Sequence, residues 1–429
     1  MVMNPRVFQS ALVLLLFGAA PLSWPAQAEQ VTDLGGQQLA AAKRSRTAIP
    51  TLAFNPKKYN PAILHLRYTP AAGKTSDPSS DAFIDLTLIA ADQPPDGRRI
   101  ELSSKRFRSL LQSLYRSLSR QEQISVQNPN TSSRQLYELL IAPIATSLES
   151  QSITTLLIAA DRGLQAIPFA ALSDGRQFFG ERYAFSLTPS LALTDFDAPT
   201  SASGTRLLAL GASRFSELSP LPLVPQELQN ISSQARKDQY LNDEFTPSSL
   251  TVKAGDPRYS QVHVATHAEF VPGGPSKSRL FSGTGPIALD QLSKLRMARK
   301  GVPLELIVFS ACRTALGDPE SELGFAGLAL QAGSKSAVGT LWYVDDVVTS
   351  AYFVQMYRYL EQGVPKAEAM LYTRQALTRG IIHLDGDRVL GVDGQPLLTG
   401  LNSNQKARIQ QNISHPFFWA GIQLLGSPW

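Results

Sequence analysis

Leu304-Glu305-Leu306-Ile307-Val308-Phe309-Ser310-Ala311-Cys312 is a short apolar run, preceded by Gly301 and Pro303 and closed by the one cysteine of the 429-residue chain. Its length and the Gly and Pro before it read as a strand buried in a parallel sheet. The thiol falls where that strand stops, at the edge where open parallel sheets carry their working groups. Upstream, Val262-His263-Val264-Ala265-Thr266-His267 ends the same way, with an imidazole at its tip. Strands are also expected at 153–160, 207–211 and 336–341, and a closing one at 417–425, with helices at 224–235, 324–332, 346–360 and 365–378. Alternating buried strands and helices are the signature of an α/β fold with an open, mostly parallel sheet and helices on both faces.

Before this core, residues 62–68 and 83–91 read as strands, and Asp96-Gly97 as a hairpin turn leading into 98–102. Leu110, Leu111, Leu114 and Leu118 recur at helical spacing, as do Leu136, Leu139, Leu140, Ile144 and Leu148, so a β-hairpin plus helix pair precedes the sheet. The segment 381–405 is rich in Gly, Asp and Asn and is expected to be a loop insertion. Residues 1–28 have the layout of a secretory signal: Arg6 as the sole charge, an apolar stretch over 11–20, and Ala26-Gln27-Ala28 as a small-x-small cleavage site. The expected division is therefore a signal at 1–28, an extended lead-in at 29–61, an N-terminal extension at 62–150 and the core at 151–429. An exported chain of this kind is periplasmic or extracellular, with no membrane span after processing.

Hydrophobic residues make up 43% of the chain and charged residues 17%, the balance of a folding globular protein, and the net charge is +5. Basic residues gather at Arg98-Arg99, at 105–108 and at 294–300, with Phe107 the one aromatic among them and so without the repeated interleaved aromatics of a single-strand-binding surface, and nucleic acid is not an expected partner. A lone cysteine excludes an intramolecular disulfide and leaves an inert buried thiol, a redox-active one, or a reactive one. A nucleophilic thiol needs a base within reach, and neighbouring strands tipped by His267 and Cys312 would supply both. His267 precedes Cys312 by 45 residues, close to the ~50 of the caspase-type order. His263 and His267 provide two ligands where a metal needs three or four, so no metal or other cofactor is expected.

The residues around these groups resemble the CHAT domain, a caspase- and separase-related family. The resemblance runs through Leu156-Leu157-Ile158-Ala159-Ala160-Asp161-Arg162-Gly163 and Ile167-Pro168-Phe169-Ala170-Ala171-Leu172, then Ala265-Thr266-His267 and Ser310-Ala311-Cys312. It continues with Gly324-Phe325-Ala326-Gly327-Leu328, Gly339-Thr340-Leu341-Trp342 and His415-Pro416-Phe417-Phe418-Trp419-Ala420. It implies a caspase-like fold and a cysteine endopeptidase acting on a protein or peptide. Cys312 would be the nucleophile and His267 the general base and then acid, with the backbone N–H groups of Ala268 and Cys312 holding the oxyanion. For the pocket that receives the side chain before the scissile bond, Asp345 and Asp346 would suit a basic residue, Arg313 and Arg162 an acidic one. Asp345 and Asp346 also stand where a helix begins, and capping it is the other role open to them. The family usually has glycine directly after the histidine; alanine there costs about 1 kcal/mol if the position needs a positive φ. That departure, and the absence of internal repeats, motivate the alternative of a binding or scaffold module acting with a separate regulatory or repeat-containing protein.

Overall fold

The fold was obtained as a computed structural model, and the structure describes residues 59–71, 75–91, 93–161, 163–195, 206–232, 236–269, 276–311, 324–342, 345–410 and 412–429. The expected signal and nearly all of the lead-in lie outside these residues. The chain forms two compact units that divide between Ala198 and Pro199.

In the first unit, β1 (Pro61–Pro70), β2 (Ala82–Ala90) and β3 (Asp96–Leu102) form an antiparallel meander, and β1 then pairs in parallel with β4 (Thr155–Ala160), which pairs in parallel with β5 (Ala184–Thr188). The unit boundary falls after β5, the hairpin being stitched directly onto β4. Asp96 and Gly97 are not a turn: they open β3, opposite Leu88 and Thr87. Alternation sets the register, since Ala62, Leu64 and Leu66 are buried together with Ile84, Leu86 and Leu88. Helix α1 (Ser104–Ser119) buries Phe107, Leu111, Leu114, Tyr115 and Leu118 along one stripe and is capped by the Ser103 side chain, which accepts from the Arg106 N–H. The second leucine run is broken into α2 (Ser132–Leu140) and α3 (Ala142–Ser150) because Pro143, in the first turn of α3, has no N–H to continue the ladder.

The strands and helices of the second unit's main sheet are, in chain order, β6 (Leu207–Gly211), α4 (Val224–Asn230), β7 (Lys237–Leu241), α5 (Ser249–Val252), β8 (Gln261–Ala265), α6 (Leu295–Ala298), β12 (Leu306–Ser310), α7 (Gly324–Gln331), β13 (Ser336–Thr340), α8 (Asp346–Glu361), α9 (Lys366–Thr378) and β17 (Ile422–Gly426). The strands lie in the order β17-β13-β12-β8-β6-β7. All neighbours are parallel except β13 and β17. The chain runs from β6 outward to β7, then back past β6 to β8, β12 and β13. Crossovers that step in opposite directions and keep the right-handed sense lie on opposite faces of the sheet, so α4 and α7 cover different sides. The reversal makes the gap between the C-terminal ends of β6 and β8 the switch point of this sheet.

Between β8 and α6 lies a small sheet of β9 (Ala268–Glu269), β10 (Arg279–Phe281) and β11 (Pro286–Ala288). The segment expected to be a loop at 381–405 instead holds β14 (His383–Asp385), β15 (Arg388–Leu390), β16 (Pro396–Leu398) and the start of α10 (Ser403–Ile409). Its glycines serve tight turns between three-residue strands, Gly386 and Gly394 both taking left-handed φ of 62° and 72°. Gln226 of α4 fastens this sheet by pairing both ways with Thr399, accepting its N–H at 2.6 Å and donating to its carbonyl at 3.1 Å.

Candidate active site

His267 follows the last residue of β8 by two positions, at the switch-point edge. Beside it, β12 runs parallel with Ser310 opposite Ala265, and the ladder extends one step further as the Thr266 N–H donates to the Ser310 carbonyl at 3.3 Å. The next residue, Ala311, is buried, and its carbonyl accepts from the Thr340 hydroxyl of β13 at 2.8 Å. Cys312, Arg313 and Arg162 lie outside the described residues. By chain position Cys312 is two residues past Ser310, the same offset that His267 has from Ala265.

The half-buried His267 ring is held on two sides by the connection that leaves β6. Its Nε2–H donates to the Ser219 carbonyl at 2.7 Å, and the Phe215 ring lies against it with centroids 4.8 Å apart. A carbonyl can only accept, so this contact fixes the proton on Nε2 and leaves the lone pair on Nδ1. The sequence offered no signal for Ser219 or Phe215: every residue has a carbonyl, and the loop from β6 to α4 carries no motif.

Ala268 opens β9 opposite Leu280. Among the described residues, the non-glycine positions with positive φ are Gln121, Ser152, Asn242 and Lys300, so Ala268 carries none of the strain that a left-handed position would impose. The Phe281 N–H donates to the His267 carbonyl at 3.0 Å, which makes those two residues a hydrogen-bonded pair. The following pair, Leu280 and Ala268, is then the non-hydrogen-bonded kind, and the Ala268 N–H points away from β10 to the outer side of the small sheet.

His263, on the same face of β8 as His267, is packed and hydrogen-bonded. It is wholly buried, its Nε2–H donates to Glu227 Oε1 at 2.8 Å, and its ring meets Phe353 and Tyr357 edge-on. The other oxygen of Glu227 accepts from the Ser350 hydroxyl at 2.6 Å, tying α4, β8 and α8 into one block. Thus α4 holds the strand through Glu227 while the loop just before it holds the imidazole at the strand's tip through Ser219.

Asp345 is the N-cap of α8: Oδ1 accepts from the N–H groups of Val347 and Val348 at 2.9 and 3.3 Å. Its Oδ2 accepts from Arg408 Nε of α10 at 2.6 Å, and the same guanidinium pairs with Asp346. Burial, and next the neighbouring charge of Asp345, push the Asp346 carboxyl above its usual range. Both carboxylates expected to suit a basic-residue pocket are therefore already engaged by a guanidinium of the chain itself. Among the described residues no group of three or more His, Cys, Asp or Glu is placed to hold a metal, and no helix is long and apolar enough to cross a membrane.

No curated protein matches the sequence. The fold is similar to the separase of the Saccharomyces cerevisiae separase–securin complex, at 10% identity with a TM-score of 0.46, over 94% of this chain and 31% of that one. It is also similar to the Arg-specific cysteine proteinase gingipain R, at 11% identity and a TM-score of 0.40, over 76% and 75% of the two chains. The Porphyromonas gingivalis complex of gingipain pro- and mature domains gives 10% identity and a TM-score of 0.40, over 76% and 77%. This chain thus spans about a third of the separase chain it matches. The CHAT domain model matches residues 130–427, well over half of the sequence and both histidine-bearing and cysteine-bearing strands, and the chain belongs to the CHAT domain family.

Proposed function

We propose that the chain is an exported caspase-like cysteine endopeptidase in which Cys312 and His267 form the catalytic dyad. The observation that carries this reading is the imidazole at the C-terminal tip of β8, with Nε2 committed to the Ser219 carbonyl and Nδ1 left basic, beside the parallel strand β12 that leads to Cys312. His267 Nδ1 takes the thiol proton, and the thiolate sulfur bonds to the scissile carbonyl carbon, moving the carbonyl electron pair onto oxygen. The Ala268 N–H, directed off the small sheet, and the Cys312 N–H stabilise that oxyanion. Collapse breaks the C–N bond as Nδ1 returns the proton to the leaving amine. Water then attacks the thioester, giving up a proton to Nδ1, and the acid and free thiol are released. Export rests on the N-terminal layout of Arg6, the apolar stretch and Ala26-Gln27-Ala28.

The test is cleavage of a peptide library by the parent chain and by Cys312→Ala. Loss of cleavage with an unchanged thermal midpoint is expected; cleavage by the variant at the parent's rate would overturn the reading.

A further inference from the structure

The edge of the second unit's sheet opposite His267 carries a built surface that peptide hydrolysis leaves unused. The chain approaches β8 through residues 253–260 after α5, and approaches β12 through residues 299–305 after α6. Arg299 fastens these two connecting segments together. Only 2% exposed, its guanidinium donates to the carbonyls of Ala254 at 2.8 Å, Asp256 at 3.0 Å and Tyr259 at 2.8 Å on the first segment. It also donates to those of Val302 at 2.9 Å and Pro303 at 3.2 Å on its own segment. Five hydrogen bonds to one buried guanidinium make the pair of segments a single rigid platform.

What the platform turns outward is apolar and basic. Met297 is 78% exposed, Val252 70% and Val302 46%. Scattered exposed hydrophobics are ordinary on any protein, but these three stand on or beside two segments pinned by one buried arginine, where α5 packs on α6. Around them Lys294, Arg296 and Lys300 are exposed, with Lys253 next to Val252. The carboxylates nearby in sequence are Asp256, which pairs with Arg258 at 3.1 Å, Glu305, which pairs with Lys335 at 3.1 Å, and Asp290, so positive charge predominates.

We infer that this platform rests on an anionic lipid bilayer, Met297, Val252 and Val302 entering the interface while Lys294, Arg296 and Lys300 meet headgroup phosphates. Charge complementarity selects an anionic surface, and exposed apolar side chains bordered by Lys and Arg are the pattern of a contact that lies in a membrane interface. Seated this way, the C-terminal edge of the sheet with His267 faces away from the membrane.

Co-sedimentation with vesicles tests the assignment. The full chain is expected to pellet with equimolar phosphatidylcholine and phosphatidylglycerol and to stay in solution with phosphatidylcholine alone. Lys294→Glu/Arg296→Glu/Lys300→Glu should weaken binding by roughly a hundredfold, and Met297→Ser should weaken it at unchanged charge. Lys105→Glu/Arg116→Glu/Arg120→Glu, the same charge change on exposed residues of the first unit, should bind as the parent does. All variants alter exposed positions, so their circular dichroism should match the parent's. A parent that stays in solution with the mixed vesicles would overturn the inference. So would a platform variant that pellets like the parent, or a first-unit variant that loses as much as the platform variant.

Discussion

The Nε2–H of His267 donates to the backbone carbonyl of Ser219 at 2.7 Å, so the tautomer of this imidazole is set by main chain from the β6–α4 connection. No side-chain substitution at 219 removes that acceptor. The ring's orientation also depends on Phe215, whose centroid is 4.8 Å away, and that contact is removable.

Phe215→Ala frees one face of the imidazole while leaving the Ser219 contact in place. An aromatic pair of this kind contributes about 0.5–1.5 kcal/mol, so kcat/KM for peptide cleavage should fall about two- to twelvefold. Steady-state kinetics on a fixed peptide checks it, and an unchanged kcat/KM would mean that Phe215 does not orient the ring.

Arg299→Met should be among the most destabilising changes in the second unit. Methionine fills part of the space but leaves the carbonyls of Ala254, Asp256, Tyr259, Val302 and Pro303 without the donor they share. A loss of about 3 kcal/mol or more is expected, read from the urea midpoint. A loss below about 1 kcal/mol would show that water replaces the guanidinium.

Asp345→Ala removes the α8 cap and one partner of Arg408, and should cost about 1–2 kcal/mol, mostly through the cap because exposed ion pairs contribute little. Asp345→Asn can still accept from Val347 and Val348, and should cost less than half as much in the same urea titration. Equal losses in the two variants would assign the effect to the Arg408 pair instead.

Asp238 gives the pH dependence a sign. The Arg206 guanidinium, bonded to both of its oxygens, holds the carboxyl down at about 2 in the folded chain. Its stabilising contribution is present above the ordinary carboxylate range and is lost as pH falls toward about 2. The pair is solvent-screened, so the effect is no more than about 1 kcal/mol. Asp238→Asn should flatten that part of the stability–pH curve, and an unchanged curve would place the acid sensitivity elsewhere.

How much of this was legible in the sequence depended on burial. β8, β12 and β13 are buried on both faces and announced themselves as apolar runs. β7, Lys237-Asp238-Gln239-Tyr240-Leu241, is an edge strand with four of five residues only half-buried, so polar side chains masked it. β9 to β11 and β14 to β16 are two or three residues long, too short to show a period of two, and the glycines between the latter read as loop. His267 was visible because it closely follows an apolar strand, and Asp345 because it caps a helix. Ser219 and Phe215 were not, because their role comes from the reversal of chain direction around β6, a property of topology and not of local composition.

The most direct measurement is the rate at which an electrophilic peptide ketone labels Cys312, followed by intact mass and peptide mapping, in the parent and in His267→Ala. A Cys312–His267 dyad requires rapid labelling at Cys312 in the parent and a large loss of rate in the variant at neutral pH. Labelling at the same rate in both would contradict it.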